Sequence, residues 1–196
     1  MAGRRNRNGN TAQRILDVAE QLVQVRGYNA FSYADVASEL GVTKASLHYH
    51  FAGKAELGEA LISRYAERFG AALDAIDADA PDAAAKLRAY ADLYTRVLRD
   101  GRMCLCGMLA ADYETLSKRA QDEVVAFFDA NEAWLERMLK EGRIDGTLRF
   151  DGRARDTART IVTGLEGAML VARPYGDPNR FETTVETLLS TLTAAG

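Results

Sequence analysis

The chain has 196 residues, 47% of them hydrophobic and 27% charged, with three prolines, two cysteines and a formal charge of −3. That content can bury a core in one or two domains, and a proline-poor composition rich in Ala, Leu, Glu and Arg favours an all-α protein. No window reaches the roughly 18–20 apolar residues of a membrane span, the start lacks an apolar signal core, and two cysteines cannot build a disulfide framework, so a reducing cytoplasm is the expected location.

Residues 1–10 are basic and Asn-rich, a segment expected to be a flexible arm, either an unstructured leader or a contact for phosphates or a minor groove. Thr11 opens the first predicted helix, with Ile15, Val18, Ala19, Leu22 and Val23 on its buried stripe and Gly27 at its end. Ser32 reads as the N-cap of a second helix, with Asp35 completing a weakened capping box, and Val36, Ala37 and Leu40 share one face. Gly41 follows where a left-handed backbone is cheapest without a Cβ. Thr43 caps a third helix that buries Leu47 and Phe51. Lys44, Ala45, Ser46, His48, Tyr49 and His50 then point outward, a small, hydroxyl, imidazole and phenol set that suits a DNA major groove.

Ala55 to about Ile76 reads as a long helix, followed by a break at Asp79-Ala80-Pro81-Asp82. Further helices are expected from Ala83 to Arg99, from Met103 to about Leu116, from Ser117 to near Gly142, from Asp151 to before Pro174, and from Pro178 to about Leu192. That makes about nine helices: a three-helix helix-turn-helix domain over 1–54 and a larger helical body over 55–196, which the resemblance drawn below makes a ligand-binding and dimerisation domain. Residues 1–54 hold seven basic and four acidic groups, net +3, which leaves −6 for the remainder. Such asymmetry suits a protein that touches nucleic acid with one end.

From Thr11 to about Leu61 the chain resembles the amino-terminal domain of TetR-family transcriptional regulators. The run Gly41-Val42-Thr43-Lys44-Ala45-Ser46-Leu47-His48-Tyr49-His50-Phe51, with Lys54 and Leu57, follows that family's signature, and the nine-helix layout extends the likeness over the chain. The resemblance implies a homodimeric repressor on a palindromic double-stranded operator, released by a small organic inducer. It places Lys44, Ala45 and Ser46 at base edges, and Ser32, Tyr33, His48, Tyr49 and Lys54 at phosphates. One departure is His48, where the family most often has tyrosine. Imidazole still donates to phosphate, more strongly when protonated.

Residues 103–112 also resemble a body motif, roughly Gly-Cys-Leu-x-x-x-Leu-x-x-Glu, of a TetR-family branch that includes repressors responsive to electrophiles, oxidants or reactive carbonyl compounds. Cys104 matches the cysteine, Met103 replaces the glycine and Asp112 the acidic residue. Arg173 aligns with a basic position late in that branch's eighth helix. A thiol at a helix N-terminus is a better nucleophile. Cys104 and Cys106 are equally readable as small core side chains or as pocket lining, and Cys-x-Cys without clustered histidines gives no metal site.

By the same resemblance the pocket draws on Tyr65, Phe69, Tyr90, Tyr94, Cys104, Leu109, Tyr113, Phe127, Phe128, Trp134 and Met169, whose hydroxyls suit a partly polar organic molecule. Gly164, Gly167 and Ala168, with Leu165, Leu170, Val185, Leu188 and Leu189, are expected to make a dimer interface of the last two helices. Neither a cofactor motif nor a nucleophile–base set is present, so an enzyme is not expected; a DNA-binding architectural protein without an inducer is the alternative.

Overall fold

The computed structural model describes residues 2–193. Among these are nine α-helices and two 3₁₀ turns: α1 (Ala2–Arg26), α2 (Tyr33–Leu40), α3 (Lys44–His50), α4 (Lys54–Asp79), α5 (Ala83–Arg99), α6 (Leu105–Ala111), α7 (Lys118–Asp145), α8 (Ala154–Ala172) and α9 (Pro178–Ser190), with 3₁₀ turns at Tyr113–Thr115 and Arg173–Tyr175. The all-α architecture expected from composition and periodicity is the one observed. α1 starts at Ala2 instead of Thr11; no proline stands upstream to forbid it. Met1, the first residue of the expected arm, lies outside the described residues.

The chain divides into two compact units, one of residues 1–66 with 105–124 and one of 67–104 with 125–196. α4 and α7 each supply a stretch to both. In the first unit Ile15, Ala19, Val23, Val36, Leu47, Leu57, Leu61 and Ile62 are buried, and α6 packs on α1 with Leu105, Cys106 and Leu109. Each such Leu or Ile contributes roughly 1.5–3 kcal/mol of burial. Arg64 of α4 clamps α1 by pairing with Asp17 at 2.6 Å and with the buried Glu20 at 2.7 Å. In the second unit α5, α8 and α9 pack together around Leu87, Tyr90, Tyr94, Ile161, Leu165, Met169 and Phe181.

Several boundaries differ from the periodic pattern for local reasons. α5 ends at a Schellman closure, with Gly101 at φ 72° and the Arg102 amide bonded to the Val97 carbonyl at 3.1 Å. Met103 and Cys104 therefore stay outside a helix, and α6 is seven residues long instead of the fourteen expected. It ends in a 3₁₀ turn where the Thr115 hydroxyl donates to the Asp112 carbonyl at 2.7 Å. α7 runs past Gly142 to Asp145. Gly142 is a packing position: a Cβ there would lie 2.6 Å from both Ala83 Cβ and Leu148 Cδ1. α8 starts at Ala154, after Gly152 at φ 79°, whose carbonyl accepts from Arg143 at 2.8 Å.

Gly142→Ala is expected to lower stability by about 1–3 kcal/mol through overpacking, despite the better helix propensity of alanine. Urea unfolding would register the loss as a lower midpoint at unchanged slope.

Candidate DNA-binding face and body polar row

The α2–α3 corner is built by the signals that the sequence carries. Ser32 sits in extended backbone, its hydroxyl donates to Asp35 Oδ2 at 2.6 Å, and its amide donates to the same oxygen at 2.7 Å. The Asp35 amide returns a bond to Ser32 Oγ at 3.4 Å, completing the box. These bonds from Ser32 hold the Asp35 carboxyl below its ordinary range. Gly41 turns the chain at φ 65°, and Thr43 Oγ1 then accepts the Ser46 amide at 3.3 Å to start α3.

Leu47 is the residue of α3 that faces the core, fully buried, with Phe51 buried just beyond it. Thr43, Lys44, Ala45, His48 and Tyr49 are exposed, and Ser46 and His50 half-exposed. Tyr49 shows 74% of its surface, an unusual outlay for a phenol. One polar face is thereby presented whole.

Three groups that resemblance places near phosphate are already engaged within the unit. The Tyr33 hydroxyl donates to the Phe51 carbonyl at 3.0 Å, closing the end of α3, and burial, with Glu56 nearby, pushes its pKa up to about 12. His48 Nδ1 lies 3.0 Å from the Ala52 carbonyl and its ring rests 4.7 Å from that of Tyr33. A carbonyl accepts only, so Nδ1 carries the proton and Nε2 is the nitrogen left to face outward. Lys54 Nζ donates to the Phe31 carbonyl at 2.7 Å and sits over the Phe31 and Tyr28 rings at 4.4 and 4.6 Å. Burial lowers the Lys54 pKa, with Asp112 and Asp35 opposing.

Asp112 was legible only as the acidic end of the body motif. Its carboxylate accepts the Tyr28 amide at 2.8 Å, the Asn29 amide at 3.3 Å and the Asn29 side-chain amide at 2.9 Å. It fixes the α1–α2 corner from the end of α6. The Tyr28 ring in turn lies against α4 at Gly58, where a Cβ would come within 3.1 Å of it.

In the second unit, Phe69, Tyr90, Tyr94, Phe127 and Trp134 form one aromatic cluster. Phe69 meets Tyr90, Tyr94 and Phe127 at 6.1, 6.1 and 5.2 Å, and Tyr90 stacks on Trp134 at 5.6 Å. Phe128 touches Phe127 at 5.4 Å, and Met169 is fully buried in the same unit. Tyr65, Leu109 and Tyr113 belong to the other unit, as does Cys106. The Tyr90 hydroxyl donates to Asn131 Oδ1 at 3.1 Å and lies 3.1 Å from that of Tyr94, which is therefore its donor.

Cys104 and Cys106 are both buried and neither forms a disulfide. The Cys104 thiol donates a hydrogen bond to the carboxyl of Glu166, and Arg173 begins a 3₁₀ turn at the surface. Desolvation raises the Glu166 pKa to about 7, against the thiol's hydrogen bond. Glu166 and Asn131 escaped the sequence reading; both interrupt apolar stripes, between Val162 and Met169 and between Phe127 and Leu135, and that interruption was the available signal. Of the residues expected at a dimer contact, Leu165, Val185 and Leu189 are buried within the unit, and Gly164 faces Leu188. Gly167 is exposed and Ala168 half-exposed, beside Leu170 and Val171 at 60% and 62% exposure.

A capped corner holding up a short polar helix, with a separate aromatic-cored helical body, defines a helix-turn-helix transcriptional regulator. The chain belongs to the TetR family: residues 15–61 match the family model for bacterial regulatory proteins of the tetR family, and residues 83–188 match that for the tetracyclin repressor-like C-terminal domain. A TetR-family regulator from Agrobacterium tumefaciens has a similar structure, with a TM-score of 0.91 and 33% identity over 95% of this chain and all of that one. A TetR regulator from Legionella pneumophila gives a TM-score of 0.82 and 34% identity over 92% and 96%. The transcriptional regulator AcuR of Cereibacter sphaeroides is 30% identical over 76% of this chain and 69% of its own. The nucleoid occlusion factor SlmA of Marinobacter nauticus is 29% identical over 83% of each.

Asp112→Ala strips the Tyr28 amide of its acceptor and is expected to cost about 1–3 kcal/mol, with faster hydrogen exchange at Tyr28 and Asn29. Glu166 gives a pH signature. Between its unfolded pKa near 4.5 and its folded value of about 7, the native state holds more protons than the unfolded one. Stability therefore falls with rising pH across that window, by about 3 kcal/mol, and levels off above it. Glu166→Gln is expected to remove this slope from denaturant titrations run at pH 5, 6, 7 and 8, roughly spanning the window.

Proposed function

We propose that the chain is a homodimeric repressor that lays α3 in the major groove of a palindromic operator and lets go when a small organic inducer enters the helical body. The observation that carries this reading is the outward set on α3. Lys44, Ala45, Ser46, Tyr49 and His50 surround the buried Leu47 with donors, acceptors and one methyl, the vocabulary of base-edge and phosphate contact. Lys44 to Ser46 lie at the helix N-terminus, the end that meets base edges in this type of docking. His48 Nε2 and the Tyr49 hydroxyl are assigned to phosphates. Ser32 and Tyr33 act through the cap and the Phe51 bond that set the angle of α3.

Leu170 and Val171, exposed beside the small residues Gly167 and Ala168 of α8, support a two-fold contact through α8 and α9. Two heads so paired would meet two half-sites, hence a palindrome. The aromatic cluster with its hydroxyl row supports a partly polar inducer, whose effect would be a population shift between operator-binding and released states. A second reading, a DNA-binding protein without an inducer, draws on the likeness to a nucleoid occlusion factor.

The test is fluorescence anisotropy on duplexes from the DNA flanking the chain's own gene, against scrambled duplexes at fixed salt. The repressor reading expects two chains per duplex and a preference of at least about 10³-fold for one palindrome. Equal affinity for all duplexes would sink it. In the same assay Lys54→Gln is expected to leave the salt dependence unchanged while lowering Tm, since its ammonium serves the Phe31 carbonyl and two rings. A slope reduced by about one unit would instead give Lys54 a phosphate contact.

A further inference from the structure

α8 carries one carboxylate inside an otherwise apolar stripe, with Val162, Leu165 and Met169 buried around Glu166. The stem of Glu166 is part-exposed, but its carboxyl turns inward. There it takes the hydrogen bond of the Cys104 thiol, while Oε1 is out of reach of solvent and meets no donor. No Lys or Arg among the described residues pairs with it. Buried carboxylates are ordinarily paired or coordinated, because an unpaired charge in such surroundings costs several kcal/mol.

The neighbouring polar row does not supply what Glu166 lacks. Tyr90 and Tyr94 are close enough for the Glu166 charge to raise both their pKa values, after the larger effect of burial. Their protons run the other way: Tyr94 donates to Tyr90, Tyr90 donates to Asn131 Oδ1, and the Asn131 amide donates to the Phe127 carbonyl at 2.8 Å. The row thus ends on the oxygen of Tyr94, an acceptor. Glu166 Oε1 is a buried acceptor that meets no donor, in the same unit as a hydroxyl row that offers its open end as an acceptor. Around the tyrosines lie the rings of Phe69, Phe127 and Trp134.

A buried negative charge, a second acceptor and aromatic faces are together complementary to one chemical class. We propose that Glu166 anchors a small organic ammonium ion in the body, with the Tyr94 oxygen as a second acceptor and the Phe69–Tyr90–Trp134 cluster as its aromatic wall; this deepens the inducer reading and rests on it. An anion would meet the Glu166 charge head-on. A neutral alcohol would supply one donor and leave the charge uncompensated. In the free protein a proton occupies part of the Glu166 population at neutral pH, and the ammonium displaces it.

The experiment is calorimetric titration of the full chain with 2-phenylethylammonium, its neutral isostere 2-phenylethanol and the anion phenylacetate. The ammonium is expected to bind at least tenfold more tightly than the alcohol, and phenylacetate not at all. Titrations at pH 7 in two buffers of different ionisation heat should show about half a proton released per ammonium, the fraction that Glu166 holds when its pKa is about 7. Glu166→Gln, its folding checked by its unfolding transition, should bind ammonium and alcohol equally, and Tyr94→Phe should keep the ammonium preference.

The proposal is overturned if the alcohol binds wild type as tightly as the ammonium, or if Glu166→Gln keeps the preference. It is also overturned if no member of a series from ethylammonium to naphthylmethylammonium binds at up to about 10 mM. The inducer reading has its own readout, operator anisotropy with the ammonium present. Binding that needs Glu166 but leaves operator affinity unchanged upholds the site and removes the inducer role.

Discussion

A helix of seven residues has no stability of its own in water, and α3 is such a helix. Its existence and its direction are borrowed from the surrounding unit. Leu47 and Phe51 anchor it below, Thr43 starts it, and the Tyr33 hydroxyl closes it through the Phe51 carbonyl. The face turned to solvent is polar because the face turned inward is so small: one fully buried leucine carries the burial along its length. Everything that fixes α2 and the corner before it therefore fixes where α3 points. That includes the Ser32–Asp35 box, the Lys54 ammonium under Phe31 and the Asp112 carboxylate under Tyr28.

The body solves a different problem. Its core is aromatic and holds a directed row of hydroxyls whose protons are handed from Tyr94 to Tyr90 to Asn131. Such a row is well satisfied at one end and open at the other. The same unit holds Glu166, whose carboxyl takes the Cys104 thiol's hydrogen bond while Oε1 meets no donor, so part of this core is left polar and unsatisfied. Packing alone would favour a leucine at Glu166, as at Leu165 beside it.

The head was legible because its signals are local. Ser32 to Asp35, Gly41 and Thr43 to Ser46 each act within four residues, and the structure reproduces each one. Helix existence was legible for the same reason throughout. Ends were not: α7 passes Gly142, a glycine that answers to Ala83 and Leu148, and α6 is short because the closure at Gly101 delays its start and a 3₁₀ turn follows it. Side-chain partners were the least legible. Nothing in the sequence announces that the Lys54 ammonium reaches the Phe31 carbonyl or that the Cys104 thiol reaches Glu166, contacts that only the folded chain brings together.

The compact unit that carries α3 is discontinuous, made of residues 1–66 and 105–124. A head grafted from this chain onto another regulator by a single splice within α4 would arrive without α6 and without the acceptor for its own corner. A transplant that preserves the aim of α3 needs two crossovers, and the donor's Leu105–Asp112 stretch has to travel with its first four helices.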